Sequence, residues 1–319
     1  MCSAVVILAA ADVAQAQDPR DTTVQEVTAQ VLETEPVDTE PAETASTRAA
    51  TAVEARLSDS HWQPQWERFH LVEGLVTLAA EGAAIAIYFA EPSREPRWRD
   101  PMPLDPEARD ALRLDDDDAR MLAVNLSDGL LVGMLVWPVL IDALLLGGIV
   151  GGDWDTTWQM MLIDAEALAL AHFVTWFTTR FVGRVRPIHV ECTMDDSCAD
   201  RGVGPVASFV SGHTLMVYAA SGLTCAHHLM NPWLTGSNEG AAVMCGSSLV
   251  LATAVGVMRV MTDLHWASDV AISALMGSTI GWGVPLAFHY LRFRPGLPGD
   301  IAIGPPAAGD AGLGVMGAF

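Results

Sequence analysis

The sequence predicts an all-α, polytopic membrane bundle of six transmembrane helices. Three observations predict it. Hydrophobic residues make up 51% of the chain and the mean hydropathy is +0.30. Apolar runs recur at about 70–90, 129–151, 157–178, 208–230, 239–260 and 266–291, each near the roughly 20 residues that a helix needs to cross a bilayer. None of these runs alternates with a period of two, so strands are a poor account of them.

Residues 1–16, MCSAVVILAAADVAQA, are small and apolar and end in Ala14-Gln15-Ala16, which looks like the later part of a secretory signal without its basic start. Residues 17–60 are rich in Thr, Glu, Ala and Pro; they have too little apolar surface to offset ordering entropy and read as a disordered acidic linker. The membrane domain then runs over 61–295. Trp62 and Trp66 precede the first span, where interfacial Trp is expected. The polar segment 91–128 carries six Arg and the run Asp115–Asp118, a pattern suited to amphipathic interfacial helices with a solvated acidic face. The Gly-, Pro- and Ala-rich tail 296–319 reads as flexible.

Charge narrows the function. The net charge is −22, and all 17 basic residues are Arg. No basic stripe is available to neutralise a phosphate backbone, so nucleic acid is excluded as a partner. Within the spans, Glu81, Asp142, Asp164, Glu166 and His172 should face the bundle interior, because intramembrane charge is expensive. Asp164 and Glu166 lie on the helix that leads to an Arg cluster, where a supporting role is open to them.

Three polar blocks fall at span junctions. The third span ends in TTRFVGRVRPIHVEC, with Arg180, Arg184 and Arg186-Pro187. The fourth begins with Ser208-Phe209-Val210-Ser211-Gly212-His213. The fifth meets the sixth at RVMTDLHWASD, which sets Arg259, His265 and Asp269 in the order R-x5-H-x3-D. Alternating antiparallel spans bring all three to one side of the membrane. Phosphoryl transfer spreads negative charge over three oxygens and calls for fixed positive charge and positioning. Arg186 and Arg259 would supply the charge, with Ser211 and the N–H groups of Gly212 and His213 as further donors at a helix N-terminus. His265 would be the nucleophile, with Asp269 four residues on to orient it; His213 would protonate the leaving oxygen and then activate water. Neither a metal nor a cofactor is needed.

The order R-x5-RP, SFxSGH, R-x5-H-x3-D resembles the three-part signature of the type 2 phosphatidic acid phosphatase superfamily, which includes membrane lipid phosphatases, vanadium haloperoxidases and the glucose-6-phosphatase type. Its usual form is K-x6-RP, PSGH and SR-x5-H-x3-D, and the resemblance covers about 61–293. It implies a haloperoxidase-like phosphatase core and a lipid phosphate substrate. Arg186, Ser211, Gly212, His213, Arg259, His265 and Asp269 match. Three positions depart: Thr179 stands for the family Lys, Val210 for the Pro and Met258 for the Ser. Arg180 or Arg184 would have to replace the missing cation.

Cys192 and Cys198 lie in the loop between the first two blocks and form a candidate local disulfide, while Cys225 and Cys245 sit in spans and read as small packed apolar groups. The Cys pair and bacterial precedent place the site on the periplasmic side of a cell membrane; the Arg of 91–128 points the other way. The expected function is an integral membrane phosphatase for a lipid phosphate monoester or diphosphate, with membrane lipids as its surroundings and the oligomeric state left open. A phosphotransferase sharing the phosphohistidine, and an inactive binding protein of the same fold, are the alternatives.

Overall fold

A computed structural model describes residues 60–90, 96–190, 206–291, 301–304 and 314–317. The signal-like segment, nearly all of the acidic linker, and Cys192 and Cys198 lie outside the described residues.

The main helices are α1 (Leu71–Phe89), the short α2 (Asp105–Leu112), α3 (Asp117–Val136, continued as π-helix over Trp137–Val150), α4 (Trp154–Val182), the single turn α5 (Pro187–Val190), α6 (Gly212–Met230), α7 (Asn238–Met261) and α8 (Ala267–Val284, continued as π-helix over Pro285–Tyr290). Their starts follow local chemistry. Asp116 accepts from Ala119 N at 2.7 Å, Asp153 from Thr156 N at 3.0 Å and Ser237 from Gly240 N at 2.9 Å, each filling an orphan donor of a first turn. Gly183, at φ 63°, turns the chain out of α4. Pro138 and Pro285 stand at the start of the two π stretches. Each lacks the N–H that the α-helical ladder requires, and the wider pitch takes over from there.

Five of these helices (α1, α3 with its continuation, α4, α7 and α8 with its continuation) are long and apolar enough to cross a membrane. The sixth expected span is α6. Its sequence, GHTLMVYAASGLTCAHHLM, carries three His, and Leu215, Val217, Ala219, Leu223 and Ala226 are all fully buried. It packs among α3, α4, α7 and α8, so most of its surface is covered by protein and it has no need of a uniformly apolar face. Leu75, Val76 and Leu78 of α1, Val243 and Val250 of α7 and Leu275 of α8 are exposed, as a lipid-facing surface requires.

The α6–α8 contact rests on backbone proximity. A Cβ on Gly277 would strike the carbonyl oxygen of Leu215, and one on Gly281 that of Ala219; a Cβ on Gly222 would meet Gly281 C at 2.7 Å. Gly277-Ser-Thr-Ile-Gly281 is thus a small-xxx-small face that lets two helices touch along their main chains. Gly281→Val is expected to cost about 3 kcal/mol or more, since a main-chain obstacle cannot rotate aside. Thermal unfolding in detergent should show it; an unchanged midpoint would refute the packing described.

Several sequence expectations are corrected. Trp62 and Trp66 are buried against Tyr290, packed into protein where exposed interfacial rings were expected. Cys225 of α6 and Cys245 of α7 are joined in a disulfide, where separate apolar packing was expected. Asp164 pairs with His227 at 2.8 Å, Asp142 with His228 at 3.0 Å and Glu166 with His289 at 3.0 Å. His227 and His228 are in the last turn of α6, so these pairs belong to the end of the bundle opposite the three blocks, and Asp164 and Glu166 have no supporting role at the site. In the tail, Ile301–Gly304 pairs antiparallel with Gly314–Gly317, where only flexible chain was expected.

Candidate functional site

The three blocks meet at one end of the bundle and are laced together by main-chain bonds. Ser208 N donates to Arg184 O at 3.0 Å, and Ile188 N to Asp263 O at 3.0 Å. Trp266 Nε1 donates to Val185 O at 2.9 Å, and Arg186 Nη1 to Leu264 O at 3.0 Å. Segments far apart in sequence therefore fix one another's backbone positions before any side chain is considered.

His265 sits at the centre, in the turn between α7 and α8, and is buried. Its Nδ1 donates to the carbonyl of Ser208 at 2.6 Å, which leaves Nε2 as the lone-pair nitrogen, 3.4 Å from Arg186 Nη1. Burial, with Arg186 and Arg259 adding to it, pushes this imidazole well below its usual pKa of 6.5. It is neutral at physiological pH, as a nucleophile must be. Burial, with Arg259 beside it and Asp269 opposing, lowers the Arg186 guanidinium to about 10; it stays charged at neutral pH.

Asp269 does not touch His265 as the i, i+4 spacing suggested. Its Oδ2 accepts from Ser208 Oγ at 2.6 Å and from Trp266 N at 3.0 Å, and its Oδ1 accepts from Arg184 Nη1. Helix α8 begins at Ala267, after His265, so the two residues do not share a helical face. Asp269 instead reaches His265 at one remove, by bonding the serine whose carbonyl holds the imidazole.

Arg184 was expected to be a spare phosphate ligand, and the structure corrects this. It is fully buried; Nη1 also donates to Ser268 Oγ at 2.8 Å, Nη2 donates to Asp105 Oδ2 at 2.7 Å, and the guanidinium lies 4.0 Å above the Trp98 ring. Its charge is consumed by two carboxylates. Although burial pushes Asp105 upward, hydrogen bonds from Ser268, Arg184 and Met102 N hold its carboxyl below the usual range. Arg180, in the last turn of α4, is half-buried and its Nη1 has no hydrogen-bond partner among the described residues. Of the two Arg considered for the position vacated at Thr179, Arg184 has its charge paired with Asp105 and Asp269.

The remaining predicted residues come together. Arg259 Nη1 donates to Ser127 Oγ at 3.0 Å and approaches Asp128 Oδ1 at 3.3 Å. His213 Nε2 lies 2.8 Å from the same Asp128 oxygen. Gly212 abuts α4 so closely that a Cβ would meet Thr175 Cγ2 at 2.9 Å. Ser211 Oγ pairs with Thr214 Oγ1 at 2.9 Å, and Ser211 N is taken by Ser273 Oγ at 2.8 Å, so that N–H is not a substrate donor. The N–H groups of Gly212 and His213 begin α6 and have no partner within the helix.

Sequence reasoning missed Asp105, Ser127, Asp128, Ser208 and the clamp in which Arg109 makes two bonds to the buried Asp263, at 2.6 and 2.8 Å. Asp263 has φ 60° and carries the turn that presents His265. Ser127-Asp128, at the polar edge of the second apolar run, offered a signal. Asp105 and Arg109, inside an unremarkable amphipathic stretch, offered none.

Fold and site define a multi-pass helical membrane protein with a cluster of two arginines and two histidines at one end. Residues 161–293 match the family model of the PAP2 superfamily, and the resemblance drawn from the three blocks holds over that segment. The match begins inside α4, short of the span from residue 61 that the resemblance implied. Among solved structures, the chain is similar to that described as the first transmembrane PAP2 type phosphatidylglycerolphosphate phosphatase from Bacillus subtilis, at 16% identity and a TM-score of 0.44, over 70% of this chain and 98% of that one. No curated protein matches.

Proposed function

We propose that this chain hydrolyses the phosphate monoester or diphosphate of a lipid through a phosphohistidine on His265, without a metal. The PAP2 match over residues 161–293 supports a phosphatase-type function. The observation that carries the finer reading is the His265 environment: a buried, neutral imidazole with Nδ1 donated to Ser208 O and Nε2 turned to Arg186. In the first half of the reaction, Nε2 bonds to phosphorus as the P–O bond to the lipid breaks, and a proton from His213 goes to the leaving oxygen. In the second, His213 takes a proton from water, the hydroxide oxygen bonds to phosphorus and the P–N bond breaks. Arg186, Arg259 and the α6 N-terminus face the developing charge, and Arg180 is the reserve cation for the position where the family has Lys.

A lipid substrate is supported by an apolar cleft of about 230 Å3 between α3, α6 and α7. It starts at Gly129, next in sequence to Asp128, and continues past Gly133, Ala220 and Leu251. A Cβ at Gly133 would meet nothing within 4 Å, so the space there is open. Gly133→Leu would narrow the cleft without moving the backbone. The ratio of kcat/KM for a long-chain over a short-chain lipid phosphate is expected to fall about tenfold, given ~0.8 kcal/mol per buried CH2; an unaltered ratio would remove the cleft from the substrate's path.

On the same reading the site faces the periplasmic side of a cell membrane. Labelling of a single Cys placed near α2 by an impermeant reagent in intact cells tests this, and protection until permeabilisation would reverse the assignment. The test of the activity itself is metal-free phosphate release from a panel of lipid phosphates beside His265→Ala. Activity equal to that variant on every substrate would leave a binding protein of this fold.

A further inference from the structure

We propose that Asp128 is a positioning residue for the acid step: it fixes the His213 ring through Nε2 and favours the proton-bearing form against burial and the two arginines. The inference rests on the function proposed above. The two histidines of the pocket have different partners. His265 gives its Nδ1–H to a neutral carbonyl, Ser208 O, whereas His213 directs Nε2 at a carboxylate, Asp128 Oδ1, 2.8 Å away. A carbonyl accepts from a neutral ring without requiring charge; a carboxylate favours the imidazolium. The division matters because both rings stand among cations.

Arg259 of α7, Arg186 of the segment after α4, and His265 all lie within electrostatic reach of His213. Each of the two arginines opposes a third positive charge in the pocket. Asp269 of α8 is the other carboxylate nearby, and its oxygens are occupied by Ser208, Trp266 N and Arg184. That leaves Asp128 of α3, whose Oδ1 also meets Arg259 Nη1 at 3.3 Å while the adjacent Ser127 Oγ accepts from the same nitrogen at 3.0 Å. One short polar step on α3 therefore serves both the acid and the phosphate-binding arginine.

The step balances as follows. Imidazolium His213 keeps Nε2–H on Asp128 and transfers the Nδ1 proton to the leaving oxygen as the P–O bond breaks and the Nε2–P bond of His265 forms. Neutral His213, still held by Asp128, then takes a proton from the attacking water as the P–N bond breaks. The starting charge state is restored with no further reactant. Two histidines of one sequence type thus take the acid and nucleophile roles by environment alone.

The test uses the full-length protein in detergent with two substrates that differ in their need for an acid: a long-chain alkyl phosphate, whose alkoxide must be protonated, and p-nitrophenyl phosphate, whose phenolate leaves unaided. Asp128→Asn is expected to lower kcat on the alkyl phosphate by about 10- to 100-fold and on p-nitrophenyl phosphate by no more than about threefold. The basic limb of its kcat/KM profile on the alkyl phosphate should move to lower pH, and Asp128→Glu should recover part of the rate. Activity on p-nitrophenyl phosphate in the same preparation also reports correct folding. Equal losses on both substrates would overturn the proposal, as would a fall in KM at constant kcat, which would make Asp128 a competing anion. An inactive wild type would instead reject the underlying phosphatase reading.

Discussion

Turnover by His265→Ala is expected to fall by roughly 10^4- to 10^6-fold, the scale seen when a covalent nucleophile is removed. No other side chain can substitute. His213 is directed at Asp128, and Asp269 is enclosed by Ser208, Trp266 and Arg184. Two readouts separate a lost nucleophile from a damaged fold. Acid-labile, base-stable phosphate trapped on wild type during turnover should be absent from the variant, while unfolding should stay cooperative with a loss of about 1–3 kcal/mol for the cavity and the missing Ser208 bond. His265 contributes no acidic limb near pH 6.5, since its pKa lies well below that value. As pH falls, loss of activity through its protonation sets in only well under 6.5. A pH–rate profile with an acid limb at 6.5 that vanishes in no other variant would contradict this.

Arg184→Ala is expected to have the largest effect on stability, about 3–5 kcal/mol, because it strips the counter-charge from two buried carboxylates at once. Asp105 and Asp269 would remain with fewer donors in a site where Arg184 is wholly shielded from water. Arg184→Lys should recover little: an ammonium cannot serve both carboxylates and stack on Trp98 as a planar fork does. The measurement is the unfolding midpoint in detergent with and without phosphate. A phosphate ligand would show reduced stabilisation by phosphate; Arg184 should instead lower both midpoints in parallel.

The sequence carried the architecture far because bilayer thickness imposes a length that composition reveals. All six spans correspond to helices, including α6, whose polarity would hide it if hydropathy alone were considered. The convergence of Arg186, His213, Arg259 and His265 at one end followed from antiparallel alternation. What stayed hidden was who bonds to whom. The spacing of His265 and Asp269 reads as a pair on a helix, yet the helix starts between them, and only the fold reveals Ser208 as the intermediary. Arg184 and Arg186 look equivalent in GRVRP. They are two residues apart in non-helical chain and point to different neighbours, one into α2 and α8, the other toward His265. The role of α2 was illegible for a further reason: Asp105 and Arg109 reach their partners Arg184 and Asp263 only through tertiary contact, which no local pattern encodes.

The meeting of α6 and α8 along Gly277 and Gly281 constrains the spacing of His213 and His265. His213 stands in the first turn of α6, and His265 lies two residues before α8. Two helices in main-chain contact behave as one rod, so the separation of His213 and His265 is a property of that rod and not of mobile side chains. On the proposed reading, breathing that admits an acyl chain falls to α3, because the Cys225–Cys245 disulfide ties α7 to α6. The protein can open toward the bilayer while the reacting groups keep their distance.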